Sequence, residues 1–251
     1  MPATAMTRPT ALPPPVVEIE RRLHWRVLSL AGFLALMITF AVMAAISVLV
    51  PARLVTGLPD DPEMAAVRAD LRGLLPMRAG ELRFRSALAG EAPPGAVFDA
   101  GTAARVERAR PQVERVRDRR RGDTRLEVAL AHLDLALQHY LRAETRYRAV
   151  TDRGADVPEA HLGLGVALAL QAAAETDQLR AHALRLEAIG QLTAVNRRDE
   201  AYEPALYDRA LLLEEVGRRA EAARCAREHL ALDPTGPWAA RMQGIAEAQG
   251  R

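Results

Sequence analysis

An all-α fold is predicted for this chain of 251 residues, on three observations. Hydrophobic residues make up 49% and aromatic residues only 4%, so the apolar content is mostly Ala, Leu and Val, a helix-forming mixture. Residues 27–50, VLSLAGFLALMITFAVMAAISVLV, carry no charge. From residue 124 onward, small residues recur at fixed places in a unit of 34 residues that reads as a helical hairpin. A single Cys excludes an internal disulfide framework and any Cys-rich metal cage. There is no Lys, and the formal net charge of +2 argues against a general nucleic-acid binder.

Residues 1–25 form a Pro-rich leader, read as a flexible tail. Residues 26–50 are read as a transmembrane helix, since about 20 apolar residues cross a hydrocarbon core of about 30 Å. A signal peptide cut near Ala44-Ala45 is the alternative, although an apolar stretch this long is atypical of one. Arg8, Arg21, Arg22 and Arg26 precede the span while only Arg53 and Arg68 follow closely, which places the leader inside and the remainder outside. Ala31/Ala35 and Ala41/Ala45 give a small-residue helix-packing face, unless they merely reflect an Ala-rich chain.

Residues 51–101 read as an extramembrane connector. Asp61 is placed as an N-cap and Pro62 at the first helical position of a helix near 62–75. Gly and Pro punctuate 76–101, which is expected as loop with at most one short helix. Residues 102–123 form an Arg-rich helical region, expected to be interrupted at Pro111.

Three repeat units follow, at 124–157, 158–202 and 203–236, with a capping helix at 237–251. Positions 8 and 20 of the units are Ala131 and Ala143, Gly165 and Ala188, then Ala210 and Ala222; the second unit holds an insertion of about 11 residues. The most specific stretch is EEVGRRAEAARCAREHLALDP, with Gly217 at the inter-helix turn and Asp233-Pro234 at the end. This pattern resembles the tetratricopeptide repeat family, and specifically a membrane-anchored bacterial member. Small residues at positions 8 and 20 let the two helices of a hairpin cross closely. Position 4 departs from the pattern, with Glu127, His161 and Leu206 in place of an aromatic residue. The expected architecture is a single transmembrane helix, a solenoid of about three repeats and a capping helix, because each unit buries its apolar face only against neighbours.

No HExxH, CxxC, CxxCH, GxSxG or Walker-type loop is present. Adjacent Glu214 and Glu215 diverge on a helix, and Cys225 has no His-acid arrangement around it. The reading is therefore non-enzymatic, with no catalytic residue, metal, cofactor or small-molecule substrate assigned.

The resemblance implies a concave groove lined by first-helix side chains. Here these are Arg125, Val128, His132 and Leu135; Glu159, Leu162, Val166 and Leu170; and Tyr207, Leu211, Glu214 and Glu215. Such a groove, apolar with an acidic end, suits an amphipathic helix or an extended apolar segment basic at one end. The alternative is that the groove holds the chain's own 62–100 segment. A second candidate surface is the basic patch Arg115, Arg117, Arg119, Arg120 and Arg121, available to anionic lipid or an acidic partner, or else a solvated face of mixed-sign pairs. The expected role is a protein–protein interaction scaffold or accessory subunit of a bacterial inner-membrane complex of respiratory, photosynthetic or cytochrome-biogenesis type. Its partners would be other subunits and membrane lipid, not nucleic acid. A soluble periplasmic chaperone or adaptor released by signal cleavage is the competing role.

Overall fold

Aspartates open four of the helices. In the computed structural model, which describes residues 61–72, 82–86, 88, 90–91, 99–154 and 157–248, Asp61 accepts from the amide of Glu63 at 2.9 Å and Asp99 from that of Thr102 at 2.7 Å. Asp123 accepts from Arg125 at 3.1 Å and Asp177 from Leu179 at 2.9 Å. Each side chain satisfies an amide that the helix itself leaves without a partner. The helices so started are α1 (Pro62–Leu71), α2 (Ala100–Arg119), α3 (Thr124–Ala136) and, after α4 (Tyr140–Thr151) and α5 (Pro158–Ala174), α6 (Gln178–Ala194). Then come α7 (Tyr202–Glu215), α8 (Arg219–Leu232) and α9 (Ala239–Glu247). All belong to one unit, Val55–Arg251.

The apolar run 27–50, with Ala31, Ala35, Ala41 and Ala45, lies outside the described residues. No helix among the described residues is long and apolar enough to cross a membrane.

One expectation is corrected. Pro111 does not interrupt the Arg-rich region: α2 is continuous across it, with the proline on the exposed side of the helix. Between α1 and α2, among the described residues, Arg85–Ser86 (β1) pairs antiparallel with Gly90–Glu91 (β2).

The helical hairpins α3/α4, α5/α6 and α7/α8 pack in sequence order, with α1 and α2 on one side and α9 on the other. The second hairpin absorbs its extra residues as helix, with 17 residues in each of α5 and α6 against 13 and 12 in α3 and α4. Two of the turns share one geometry. At the first, His139 N–H donates to the Asp134 carbonyl and Gln138 N–H to that of Leu135; at the third, Arg218 donates to Leu213 and Gly217 to Glu214. Both turns need a left-handed residue, met by Gly217 at φ 79° and by Gln138 at φ 62°.

Small residues sit where helices cross. A Cβ on Gly165 would stand 2.7 Å from Leu192 Cγ on the paired helix α6, which is the position-8 contact within the hairpin. A Cβ on Gly163 would stand 2.3 Å from Cζ of Tyr147, so this glycine admits the ring of the preceding hairpin. The core divides into two clusters. One gathers α1, α2 and the inner face of α3 around Met64, Val106, Val113, Leu126 and Leu130. The other runs through α3 to α9.

Candidate functional site

The faces of α3, α5 and α7 that line the expected groove do not stand open. A strap of the chain, residues 82–86 and Leu88, lies on them, extended over 82–86, and runs against the order of the repeats. Arg83, only 5% exposed, sits at the third hairpin. Its amide donates to Oδ1 of buried Asp208 at 2.7 Å, and its guanidinium pairs with Glu203. Arg83 Nη1 lies 2.9 Å from Nε2 of His229, which is itself buried. The guanidinium carbon is 5.6 Å from the ring centre of Tyr207 and 5.3 Å from that of Trp238, within cation–π range. Burial raises the Glu203 carboxyl, but hydrogen bonds from His229 and Arg83 outweigh it and hold the group below its ordinary value.

Two residues further along, Phe84 meets His132 edge-on, with ring centres 4.7 Å apart. It joins the cluster that contains Val128, Leu135, Leu162, Val166, Leu170, Tyr207 and Leu211. Arg85 points outward and pairs with Glu200 at 2.7 Å. Ser86 Oγ accepts from the amide of Leu88 at 3.0 Å and is hydrogen-bonded to His132 Nδ1, 2.6 Å away. Leu88 enters the other cluster, among residues of α1, α2 and α3. The strap therefore joins both cores.

The groove residues named from the sequence separate into two groups. Val128, His132, Leu135, Leu162, Val166, Leu170, Tyr207 and Leu211 are buried, none more than 5% exposed, and belong to the core that the strap helps cover. They are not an open surface, so a carboxylate introduced at Leu162, Tyr207 or Leu211 would disrupt packing. Arg125, Glu214 and Glu215 are engaged at the edges: Arg125 with Asp123 at 2.7 Å, Glu214 with Arg241 at 3.1 Å, Glu215 with Arg185 at 2.8 Å. Glu159 is partly buried near Tyr147, whose hydroxyl it helps hold above its ordinary value, after burial itself.

The basic patch is engaged within the chain as well. Arg115 and Arg119 reach Glu63 of α1 at 3.7 and 3.4 Å, and Arg119 and Arg120 reach Asp61 at 3.5 and 3.9 Å. Arg117 pairs with Asp118 at 2.9 Å and Glu127 at 3.4 Å, and Arg121 is exposed. Arg110, from the same helix, is 2.7 Å from Asp134 of α3, which is fully buried and also accepts from Arg146 of α4 at 2.9 Å. Much of the Arg-rich face thus fastens α2 to α1 and to the first hairpin.

Ser86 and His132 are a hydroxyl and an imidazole within hydrogen-bond reach, but they do not form an activated nucleophile. Both are buried, and His132 Nε2 has no hydrogen-bond partner, so no carboxylate orients the ring. Cys225 is buried, with Arg209 Nε 3.1 Å from its sulfur. Among the described residues, no group of three or more His, Cys, Asp or Glu side chains gathers as a metal site.

His132 gives the protein a specific acid sensitivity. Burial lowers it from 6.5 to about 3. The native state refuses a proton that the unfolded chain binds below pH 6.5. Stability is therefore intact above pH 6.5 and falls as pH drops from 6.5 toward 3, by about 1.4 kcal/mol per unit. Urea titrations at pH 7.5 and 5 are expected to show wild type losing about 2 kcal/mol more than His132→Gln. Equal losses would assign the acid sensitivity elsewhere.

The alternative that the chain's own 62–100 segment holds the groove is met by this strap, but the sequence reading named none of Arg83, Phe84, Ser86 and Leu88, nor their receptors Glu203, Asp208, His229 and Trp238. One signal was available: Leu82, Phe84, Ser86 and Leu88 alternate with Arg83 and Arg85 at the period of a strand.

No family model and no curated protein matches the sequence. Among solved structures, the chain is similar to a thermophilic tetratricopeptide-repeat protein of Thermus thermophilus. The match has a TM-score of 0.51 and 21% identity, over 59% of this chain and 76% of that one. The likeness establishes the fold: the hairpins form a tetratricopeptide-type helical array.

Proposed function

We propose that this protein is a non-catalytic interaction scaffold that serves as an assembly or accessory subunit of an inner-membrane complex. The observation that carries this reading is the strap itself. Its seat on the first helices of the repeats is a receptor for extended polypeptide, with an acidic aromatic pocket, an apolar trough and a histidine arranged in line. A tetratricopeptide-type array is suited to that task, since successive hairpins extend one continuous surface. The membrane part of the proposal is supported by the uncharged run 27–50 and the Arg bias around it, which favour an uncleaved anchor with the repeats on the periplasmic side.

The test is a mild-detergent purification of the tagged full chain from its native membrane, followed by quantitative mass spectrometry and intact-mass measurement. The expected result is stoichiometric recovery of membrane subunits with a chain that retains residues 1–50. A soluble chain lacking that stretch would replace the anchored subunit with a periplasmic adaptor, and recovery of the intact chain alone would end the proposal.

A further inference from the structure

We propose that the pocket of Glu203, Tyr207, Asp208, His229 and Trp238 reads an arginine of a partner protein's extended segment, and that residues 82–88 are an intramolecular stand-in for that segment. The inference rests on the scaffold reading and adds the chemistry of what is bound. Three observations carry it.

The pocket is built for a guanidinium. Two aromatic rings stand at 5.6 and 5.3 Å from the guanidinium carbon of Arg83, and the carboxylate of Glu203 closes the charged end. A planar, weakly hydrated cation gains from both ring faces and carboxylates, where a compact ammonium gains less. With Glu203, Asp208 and Glu200 around the mouth, the site favours a basic segment.

The repeats contact one another without the strap between them. The hairpins α3/α4, α5/α6 and α7/α8 pack directly on one another, and α9 packs on α8. What the strap adds is side chains seated from outside. Its own regular structure consists of only two residue pairs, Arg85 with Glu91 and Ser86 with Gly90. A two-stranded ribbon of this size does not hold itself together.

The recognition is transferable. The described contacts at the pocket and trough involve an arginine, an aromatic ring next to it and a hydroxyl two residues beyond. Any extended chain with that Arg-aromatic-x-Ser order presents the same groups. A partner segment must displace the strap, whose tether supplies an effective concentration of about 1 mM. A segment that binds the emptied seat at about 10 μM would therefore bind wild type about 100-fold more weakly.

The experiment uses the full chain in detergent micelles and a fluorescent peptide, ELRFRSALAGE, that copies residues 81–91. Peptide anisotropy is expected to show saturable 1:1 binding to R83A/F84A, about 100-fold weaker binding to wild type, and at least tenfold loss when the peptide carries Ala for its first Arg. Adding E203A or W238A to R83A/F84A should abolish the signal. Absence of binding to an R83A/F84A chain of normal helicity overturns the proposal and makes the strap a permanent brace. If R83A/F84A loses helicity, Arg83→Ala alone is titrated, since it leaves Phe84 in the core, and no binding there overturns it equally. The assay needs only the purified chain, so its failure leaves the co-purification result untouched, and the reverse holds too.

Discussion

Replacing Asp134 with Ala is expected to lower the folding free energy by about 3–5 kcal/mol. The carboxylate is fully buried and joins three helices, accepting from Arg110 of α2 at 2.7 Å and from Arg146 of α4 at 2.9 Å. Arg142 and His139 stand further out, at 3.6 and 3.7 Å. Arg110 is only 12% exposed, and its Nη1 already lacks a partner. Without Asp134 a buried cation would face an apolar core, a far greater cost than the net worth of an exposed ion pair. Two features distinguish this account from a simple packing loss. Asp134→Leu alone should be nearly as harmful as Asp134→Ala, whereas Asp134→Leu together with Arg110→Met should recover much of the stability. Urea midpoints followed by far-UV circular dichroism measure both. A double variant no better than the single one would show that the arginine is not the source of the cost.

Gly163→Val is expected to cost about 3 kcal/mol, at the upper end of ordinary overpacking. Even the Cβ of Ala would stand 2.3 Å from Cζ and 2.6 Å from the hydroxyl of Tyr147. That ring is fully buried, in contact range of His132 with centres 5.8 Å apart, and has no free volume to retreat into. Because the two residues belong to adjacent hairpins, the clash should separate the first repeat from the second rather than break either one. Tyr147→Leu shortens the side chain at the point of conflict. Combining it with Gly163→Ala should therefore cost less than the two single changes added together. Additive losses in thermal melts would place the strain elsewhere.

The parts of the fold that were legible in the sequence share one trait: their physics is local. Asp61 before Pro62 caps a helix through its nearest amides, and Gly217 supplies a left-handed turn between its own two helices. Position-8 residues Ala131, Gly165 and Ala210 mark crossings inside single hairpins, which recur at a fixed spacing and so announce themselves. What escaped was non-local. Arg83 meets Asp208 at a separation of 125 residues and His229 at 146, and nothing in a Gly- and Pro-punctuated connector specifies that destination. The strap's alternation of Leu82, Phe84, Ser86 and Leu88 spans too few residues to outweigh the turn formers around it. The Arg-rich helix was ambiguous for a related reason. Its mixed charges fit a lipid-facing patch as well as a seam between helices, and only the structure shows the ion pairs to Asp61, Glu63 and Asp134 that form such a seam.

Arrays of helical hairpins ordinarily unravel in pieces, because each unit touches only its neighbours and a terminal one can fray while the rest persists. The contact between Arg83 and the third hairpin changes that topology, closing the array into a loop across a separation of 125 residues. Fraying of α8 and α9 would remove His229 and Trp238 from the guanidinium, loosening Phe84 and Ser86 at the first hairpin in the same event. The chain should therefore melt as one cooperative block, fold more slowly than an open array of equal length, and exchange the amides of its last helices no faster than those of its first.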